Sequence, residues 1–397
     1  MATITKRKWK TGKGEEREAW VLAYTDQAGK RHKEQFTKKR DADSRRVEVE
    51  GQVKSGTYRA DAATTTVKEA CDAYVKYMKG RKKRNERVTE HYFKNLEGQL
   101  YNYVAPQPDR AISFDGGIGD VKLSQLTAGS VNAFRDRLRD FGVGVVTTRR
   151  ILGSLSRVLR YAKDNDMIAT NPAKGVQVIG RRDEGSKKIV PPAKADLAIL
   201  LAVADAETAL KIRFAAATGL RASEQWALRW SHLDLKGGQL TIDSRVDVYG
   251  NVDVTKSESG TREVPIAKAI VTELQAWRLK SKFSGDGDLV FPNEKGKFID
   301  HHNFVNRSFK RAKEKAIEKA QEDGKPFKPV GWHSLRHFAI STWIEAGLQP
   351  KTIQTFAGHS TLAVTMSRYG HLFPSDDHAA AMNKIAEAIF SNPNNGA

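Results

Sequence analysis

The stretch TMSRYGHLF sets a lone tyrosine, Tyr369, between Arg368 and Gly370, ten residues beyond His359 in the short segment GHS. On the helix expected over LAVTMSRY, Leu362, Met366 and Tyr369 share one face, so periodicity alone makes Tyr369 a core aromatic. A phenol can also be a nucleophile, provided an electrophile and a proton acceptor are held beside it. Groups suited to an anionic electrophile are spaced through the preceding 150 or so residues. In AAATGLRASEQWALRW one helix ends near Gly219 and a second begins around Ser223, a good N-cap. Arg221 then falls in a turn at a helix N-terminus, where backbone amides and the helix dipole favour a phosphate. An ion pair with Glu224 would use that arginine equally well. In VTKSESGTREVPI, Ser257 to Gly260 read as a hairpin turn that leaves Lys256 at a strand end; alone, such a lysine is a soluble edge residue. In GWHSLRHFAISTWIEAG, Ser334 can cap a helix on which His333 and Arg336, three apart, face one spot. Arg336 would complete a phosphate clamp with Arg221, or be an incidental polar residue on a core helix. PKTIQTFAGHS reads as a short helix begun by Pro350 and stopped by Gly358, with His359 in the loop that follows.

Other chemistries find less support. No GxxxxGK[ST] phosphate loop is present, and DGGIGD lacks the lysine that must follow. Hydrolytic triads and thiol nucleophiles lack support, since Cys71 lies on an apolar helix face. His333 and His337 have the i, i+4 spacing of a metal pair, yet Ser334 stands where HExxH needs its glutamate and no third ligand is near.

The elements that would position these residues fall into blocks. Over residues 1–60, TITKRKWK, EAWVLAYT and KRHKEQF alternate in the manner of strands separated by TGKG and DQAG, predicting a three-stranded antiparallel meander. Its one-sided core would be Trp9, Trp20, Tyr24 and Phe36, and a helix from Lys39 to about Lys54 follows. Residues 65–180 are mostly helical: Val67, Ala70, Cys71, Tyr74 and Met78 recur at helical spacing, as do Ile151, Leu152, Leu155, Val158, Leu159 and Ala162. The second stripe leaves Arg149, Arg150, Ser156, Arg157 and Arg160 on an outer, basic face. Between them YNYVAPQPDRAISFDGGIGD reads as a loop or short hairpin. The polar, proline-closed RRDEGSKKIVPP has the composition of a linker, and a third, mixed block runs from 185 to 385, followed by a tail over 386–397. The fold class expected is multidomain and mainly α, with small β-sheets.

The 397 residues carry a formal net charge of +20. Of this excess, +15 falls on residues 1–183 and +5 on the remainder. Such a balance points to a polyanionic partner, with nucleic acid favoured. No stretch approaches the roughly 18 apolar residues of a membrane span, the basic start MATITKRKWK runs into TGKGEEREAW and does not read as a signal peptide, and the single cysteine fits a reducing cytosol.

Taken together, TGLRASE, the hairpin lysine, HSLRH, AGHS and SRYGH stand in the order and approximate spacing of the tyrosine recombinases, the phage integrase family, which the chain resembles along all three blocks. The resemblance implies an N-terminal arm-type DNA-binding domain over 1–60, a helical, SAM-like core-binding domain over 65–180 and a mixed α+β catalytic domain over 185–385. It implies a site-specific integrase that cuts and rejoins DNA through a 3'-phosphotyrosine intermediate, integrating and excising a phage or other mobile element. Tyr369 would be the nucleophile. Arg221 and Arg336 would hold the nonbridging phosphate oxygens, and Lys256 would protonate the departing 5'-oxygen. His333 would assist proton transfer at the tyrosine and His359 would hydrogen-bond the phosphate. Glu224 would orient its neighbours, with His337 and His371 structural. Neither ATP nor a metal is implied. The partners would be double-stranded DNA attachment sites and three further copies of the chain in a homotetramer, with host or element-encoded DNA-bending or excision factors, in the nucleoid of a bacterial cytoplasm. The amphipathic tail helix, through Met382, Ile385 and Ile389, would pack in cis or on a neighbouring subunit. A recombinase that resolves chromosomes, or a DNA-binding regulator without catalysis, would share parts of this pattern.

Overall fold

The computed structural model describes the chain except for residues 1, 11, 13–14, 28, 111, 113, 181–183, 185–187, 255–260, 374–377 and 391–397. It forms two compact units, Met1–Gly185 and Ser186–Ala397. Lys256 and the expected turn over Ser257 to Gly260 lie outside the described residues.

The first unit opens with β1 (Thr3–Lys10), β2 (Glu16–Thr25) and β3 (Arg31–Phe36), an antiparallel sheet in the order β1-β2-β3, followed by α1 (Lys39–Lys54). Leu22 and Tyr24 point from β2 onto Val49 of α1 and Tyr58 to make a small core. The core is not the one expected. Phe36 packs against it only partly, while Trp9 and Trp20 are half-buried, and Trp20 is flanked by the ammonium groups of Lys6 and Lys39, 5.7 and 5.6 Å from its ring. One lysine of β1 and one of α1 thus cover the Trp20 face with their cations.

The helical part of this unit has a separate core. Helix α2 (Val67–Lys83) starts at a capping box, in which Thr66 accepts from the Glu69 amide and Glu69 accepts from the Thr66 amide. Helices α3 (Glu90–Gln99), α4 (Ala128–Asp140) and α5 (Val145–Asp164) complete it. The predicted apolar stripes of α2 and α5 are buried without exception, and Arg149, Arg150, Arg157 and Arg160 are exposed. Each fully buried leucine or valine of that stripe contributes about 1.5–3 kcal/mol. The segment read as a loop is helical at its start and partly buried beyond it: Leu100–Val104 continue α3 as a π-helical turn, and Phe114 and Ile118 beyond the prolines insert into the core. Local breakers end a helix, but only packing decides whether the chain after them faces water.

The second unit contains α6 (Lys194–Val203), α7 (Ala206–Thr218) and α8 (Ala222–Gln225), then β4 (Leu233–Asp234), β5 (Gln239–Ile242), β6 (Ser244–Val246), β7 (Val252–Val254) and β8 (Arg262–Pro265). Helices α9 (Lys268–Lys280), α10 (His301–Phe304), α11 (Lys310–Glu322), α12 (Trp332–Glu345), α13 (Pro350–Ala357), α14 (Leu362–Tyr369) and α15 (His378–Phe390) follow. Strands β7 and β8 flank residues 255–260, and each pairs elsewhere: β8 lies on β5 in the sheet β4-β5-β8, and β7 pairs with β6. A core around Trp226, Trp230, Phe291, Phe309 and Leu335 joins sheet and helices, and a smaller one gathers Ile340, Ile344, Ile353, Ala357 and Tyr369. Helix α15 runs across the expected 385/386 boundary, with Met382, Ile385 and Ile389 exposed.

Candidate active site

Two glycines shape the backbone of the site. Helix α7 stops because Gly219 turns left-handed, at φ 61°, its amide donating to the Ala215 carbonyl. A Cβ at Gly219 would stand 2.8 Å from the Trp343 ring, so α12 can pack directly on the turn. Gly358 ends α13 in the same way, at φ 60°, and a Cβ there would come within 2.8 Å of the Arg262 guanidinium.

The arginines tie these two turns together. Arg221, rather than Ser223, occupies the N-cap position of α8, and its amide donates to Glu224 Oε2 at 2.9 Å. Its Nη1 donates to Glu224 Oε1 and its Nη2 to the Gly358 carbonyl, each at 2.9 Å. Arg336, buried on α12, donates from Nη1 to the Gly219 carbonyl at 2.7 Å and from Nη2 to the Ala357 carbonyl. Ser334 is not the cap of that helix; Gly331 is. Burial and then the nearby Arg221 charge disfavour the charged form of Arg336, while Glu224 favours it. Two guanidiniums that repel each other in a low-dielectric setting are stabilised by any anion placed between them.

A third arginine was not singled out in the sequence. Arg262, at the start of β8, is 5% exposed and donates to both Glu224 oxygens, from Nη1 at 3.2 Å and Nη2 at 2.8 Å, and from Nε to the Phe356 carbonyl at 2.9 Å. Burial raises the Glu224 pKa, but the bonds to Arg262 and the charges of Arg262 and Arg221 more than reverse this and hold it down at about 2. Glu224 is thus ionised and shared between the two. The sequence signal that could have found Arg262 is weak, an arginine opening a short apolar strand.

Around the tyrosine, the rings assemble from α12, α14 and the loop between α13 and α14. Tyr369 is 1% exposed, and its hydroxyl lies 2.6 Å from His337 Nδ1. His359 is buried, its Nδ1 2.9 Å from Thr365 Oγ1 and its ring 6.1 Å from that of Tyr369 at an interplanar angle of 16°. His333 meets His337 edge-on at 4.8 Å between centroids. Burial, helped by Arg336 and Arg221, pushes His359 down to about 4. Burial and then His333 do the same to His337, to about 4. His333 keeps an exposed edge, yet the surrounding protein and the charges of Arg336, Arg368 and Arg221 hold it below its ordinary value. All three imidazoles are therefore neutral at pH 7. Burial raises the Tyr369 pKa, against the pull of Arg336, Arg368 and Arg221.

The structure thus brings Arg221, Arg336, His333, His359 and Tyr369 to one place. It differs from expectation in two respects, at α14 and at His337. Leu362 and Met366 are exposed, so the buried face of α14 is Thr365 with Tyr369. His337, read as structural, is the side chain bonded to the tyrosine. His371 bonds the Ile189 carbonyl at 2.9 Å and takes a structural place.

The chain is similar to several known proteins. Residues 194–376 match the phage integrase family. A XerC-like tyrosine recombinase of Caldanaerobacter subterraneus subsp. tengcongensis is 23% identical over 309 residues, 71% of this chain and 74% of that protein. The ICEBs1 integrase of Bacillus subtilis is 23% identical over 275 residues, 64% of this chain and 69% of the integrase. In fold, the chain is similar to the Tn1549 transposon integrase in complex with transposon right end DNA, with a TM-score of 0.64 at 19% identity over 81% of this chain and all of that one. It is also similar to the lambda integrase of a tetramer bound to a Holliday junction, with a TM-score of 0.53 at 16% identity over 89% and 95% of the two chains. The matched domain covers residues 194–376, and together with the recombinase relatives it supports tyrosine-type site-specific recombinase activity for this chain.

Proposed function

We propose that this recombinase integrates and excises a mobile element, with Tyr369 as its nucleophile and Arg221, Lys256, His333, Arg336 and His359 as its catalytic partners. One observation carries the assignment: the loops at 219–221 and 357–359 are braced by Arg221 and Arg336, and Tyr369 reaches the same cluster from a helix 148 residues beyond the first arginine. The tyrosine oxygen attacks a scissile phosphodiester, forming a 3'-phosphotyrosyl bond and expelling a 5'-oxygen. Arg221 and Arg336 stabilise the charge that gathers on the nonbridging oxygens. Each terminal guanidinium nitrogen carries two N–H groups, so a donor remains beside each backbone bond. His359 donates to the phosphate, and His333 assists proton movement at the tyrosine. Lys256 lies outside the described residues; its role rests on its motif and on Arg262, six residues on, being anchored at the site. A lysine with an ordinary pKa near 10.4 can protonate the leaving 5'-oxygen.

The phosphotyrosine keeps the energy of the broken bond, so a 5'-hydroxyl of a second duplex can reseal it without ATP. Exchange between two duplexes then calls for four protomers, as in the lambda integrase tetramer on its junction. The basic sheet domain over 1–60 binds arm-type DNA, the helical domain over 65–180 binds the core site, and host or element-encoded factors bend the DNA or favour excision. The protein acts in the bacterial cytoplasm on the nucleoid. Incubating it with a nicked duplex carrying the direct repeats that flank its element should give a covalent adduct on a denaturing gel. Tyr369→Phe should give none; equal behaviour of the two proteins overturns the assignment. Deleting residues 1–60 should impair integration while sparing core-site cleavage, and loss of cleavage would show the domain misassigned.

A further inference from the structure

The mechanism above leaves the proton of the nucleophile without a structural destination. The resemblance assigns that task to His333, but among the described residues no hydrogen bond joins His333 to Tyr369. The hydroxyl instead meets His337 Nδ1 at 2.6 Å, one helical turn further along α12. We propose that His337 is a catalytic residue of this recombinase, holding the Tyr369 hydroxyl and accepting its proton as the phenolic oxygen attacks the phosphate. The inference rests on Tyr369 being the nucleophile.

The chemistry balances as follows. The Tyr369 O–H bond breaks and its proton passes to His337 Nδ1, while the oxygen forms the new bond to phosphorus. The bond from phosphorus to the 5'-oxygen breaks, and that oxygen takes a proton from the acid on the opposite side, assigned to Lys256. Rejoining reverses each step, His337 returning its proton to the departing phenolate.

Three features of the site suit His337 to this task. Its ring is neutral at pH 7, so Nδ1 can present a lone pair when the proton of the imidazole sits on Nε2. The bond is made inside a buried cluster that excludes water from the hydroxyl, Tyr369 being 1% exposed. The basicity of His337 is also coupled to substrate. Burial is the main cause of its low pKa, but His333 and the charges of Arg336 and Arg368 add to it. A phosphodiester bound at the arginines offsets their charge, and attack on phosphorus drains electron density from the phenol. The imidazole then becomes a better base and the phenol a better acid only when DNA is in place. His333, itself exposed, meets the His337 ring edge-on at 4.8 Å.

The test uses the full chain and the nicked duplex described above, with adduct formation followed in a single turnover at saturating protein. His337→Asn keeps a hydrogen-bond acceptor near the position of Nδ1 but cannot take up a proton, and His337→Ala removes both. Both should form the adduct about a hundredfold or more slowly, in the range of a lost general base, while DNA binding by gel shift and the melting temperature of His337→Asn stay at wild-type values. The defect should persist when the 5'-bridging oxygen is replaced by sulfur, because a thiolate leaves without being protonated. Wild-type rates for His337→Asn would reduce the contact to a hydrogen bond and overturn the proposal. Rescue by sulfur would place His337 on the leaving-group side and overturn it too. Failure of wild type itself to form an adduct marks a different failure, that of the recombinase assignment on which the inference stands. As a readout independent of activity, nitrogen NMR of the free protein at pH 7 should find His337 Nδ1 unprotonated and hydrogen-bonded; a proton on Nδ1 would contradict the proposal.

Discussion

Replacing Glu224 by glutamine should weaken the second unit in a pH-dependent way that the site's geometry specifies. The carboxylate is 4% exposed and bonded to Arg221 and Arg262, and its pKa falls from an ordinary 4.5 to about 2. At about 1.4 kcal/mol per unit, that difference corresponds to about 3 kcal/mol of stability in the ionised state. A carboxylate with a lowered folded pKa contributes fully above its unfolded value and loses the contribution as pH falls through the folded one. The gap between wild type and Glu224→Gln should therefore be about 3 kcal/mol at pH 7, stay constant down to pH 4.5 or so, and shrink to about half by pH 3. Arg262→Met should cost about 3–5 kcal/mol, because it strands a buried charge. The double variant should cost less than the sum of the two. Urea unfolding read by tryptophan fluorescence suits the measurement, since five of the seven tryptophans lie after residue 186. A gap below about 1 kcal/mol at pH 7, or one unchanged at pH 3, would refute the view that this ion pair is the keystone of the site.

Gly358→Ala should destabilise by about 1 kcal/mol or more, from the left-handed φ of 60° and the 2.8 Å approach to Arg262. It should also slow adduct formation, and thermal melting with the nicked-duplex assay would check both. His359 is buried and neutral with its pKa at about 4, so between pH 6.5 and 4 the unfolded chain binds more protons at this residue and stability declines by up to about 1.4 kcal/mol per unit. His359→Gln should flatten that decline in urea titrations at pH 7 and 5. On α5, Arg160 is exposed on the basic face, and Arg160→Ala should lower the slope of log affinity against log salt by about one for duplex DNA; an unchanged slope would remove that face from the DNA contact.

Much of the scaffold was legible in the chain itself. Strand alternation set β1 to β3, and periodicity set the buried stripes of α2 and α5. Pro350 and Gly358 bounded α13, and Gly219 ended α7. These are local matters, decided by side-chain period, fixed φ and the freedom of glycine, and each is written within a few residues. The order of TGLRASE, HSLRH, AGHS and SRYGH likewise pointed to tyrosine recombination before any coordinates. Tertiary packing decided the rest. Strand β8 chose β5 over its chain neighbour β7, which brought Arg262 under Gly358 and made Glu224 the shared anion of two arginines. Helical spacing put His333 and His337 on one face of α12 and could not choose between them. The crossing of α14 over that face chose His337, because a hydrogen bond of 2.6 Å depends on where two helices meet in space, which no periodicity along one of them can encode.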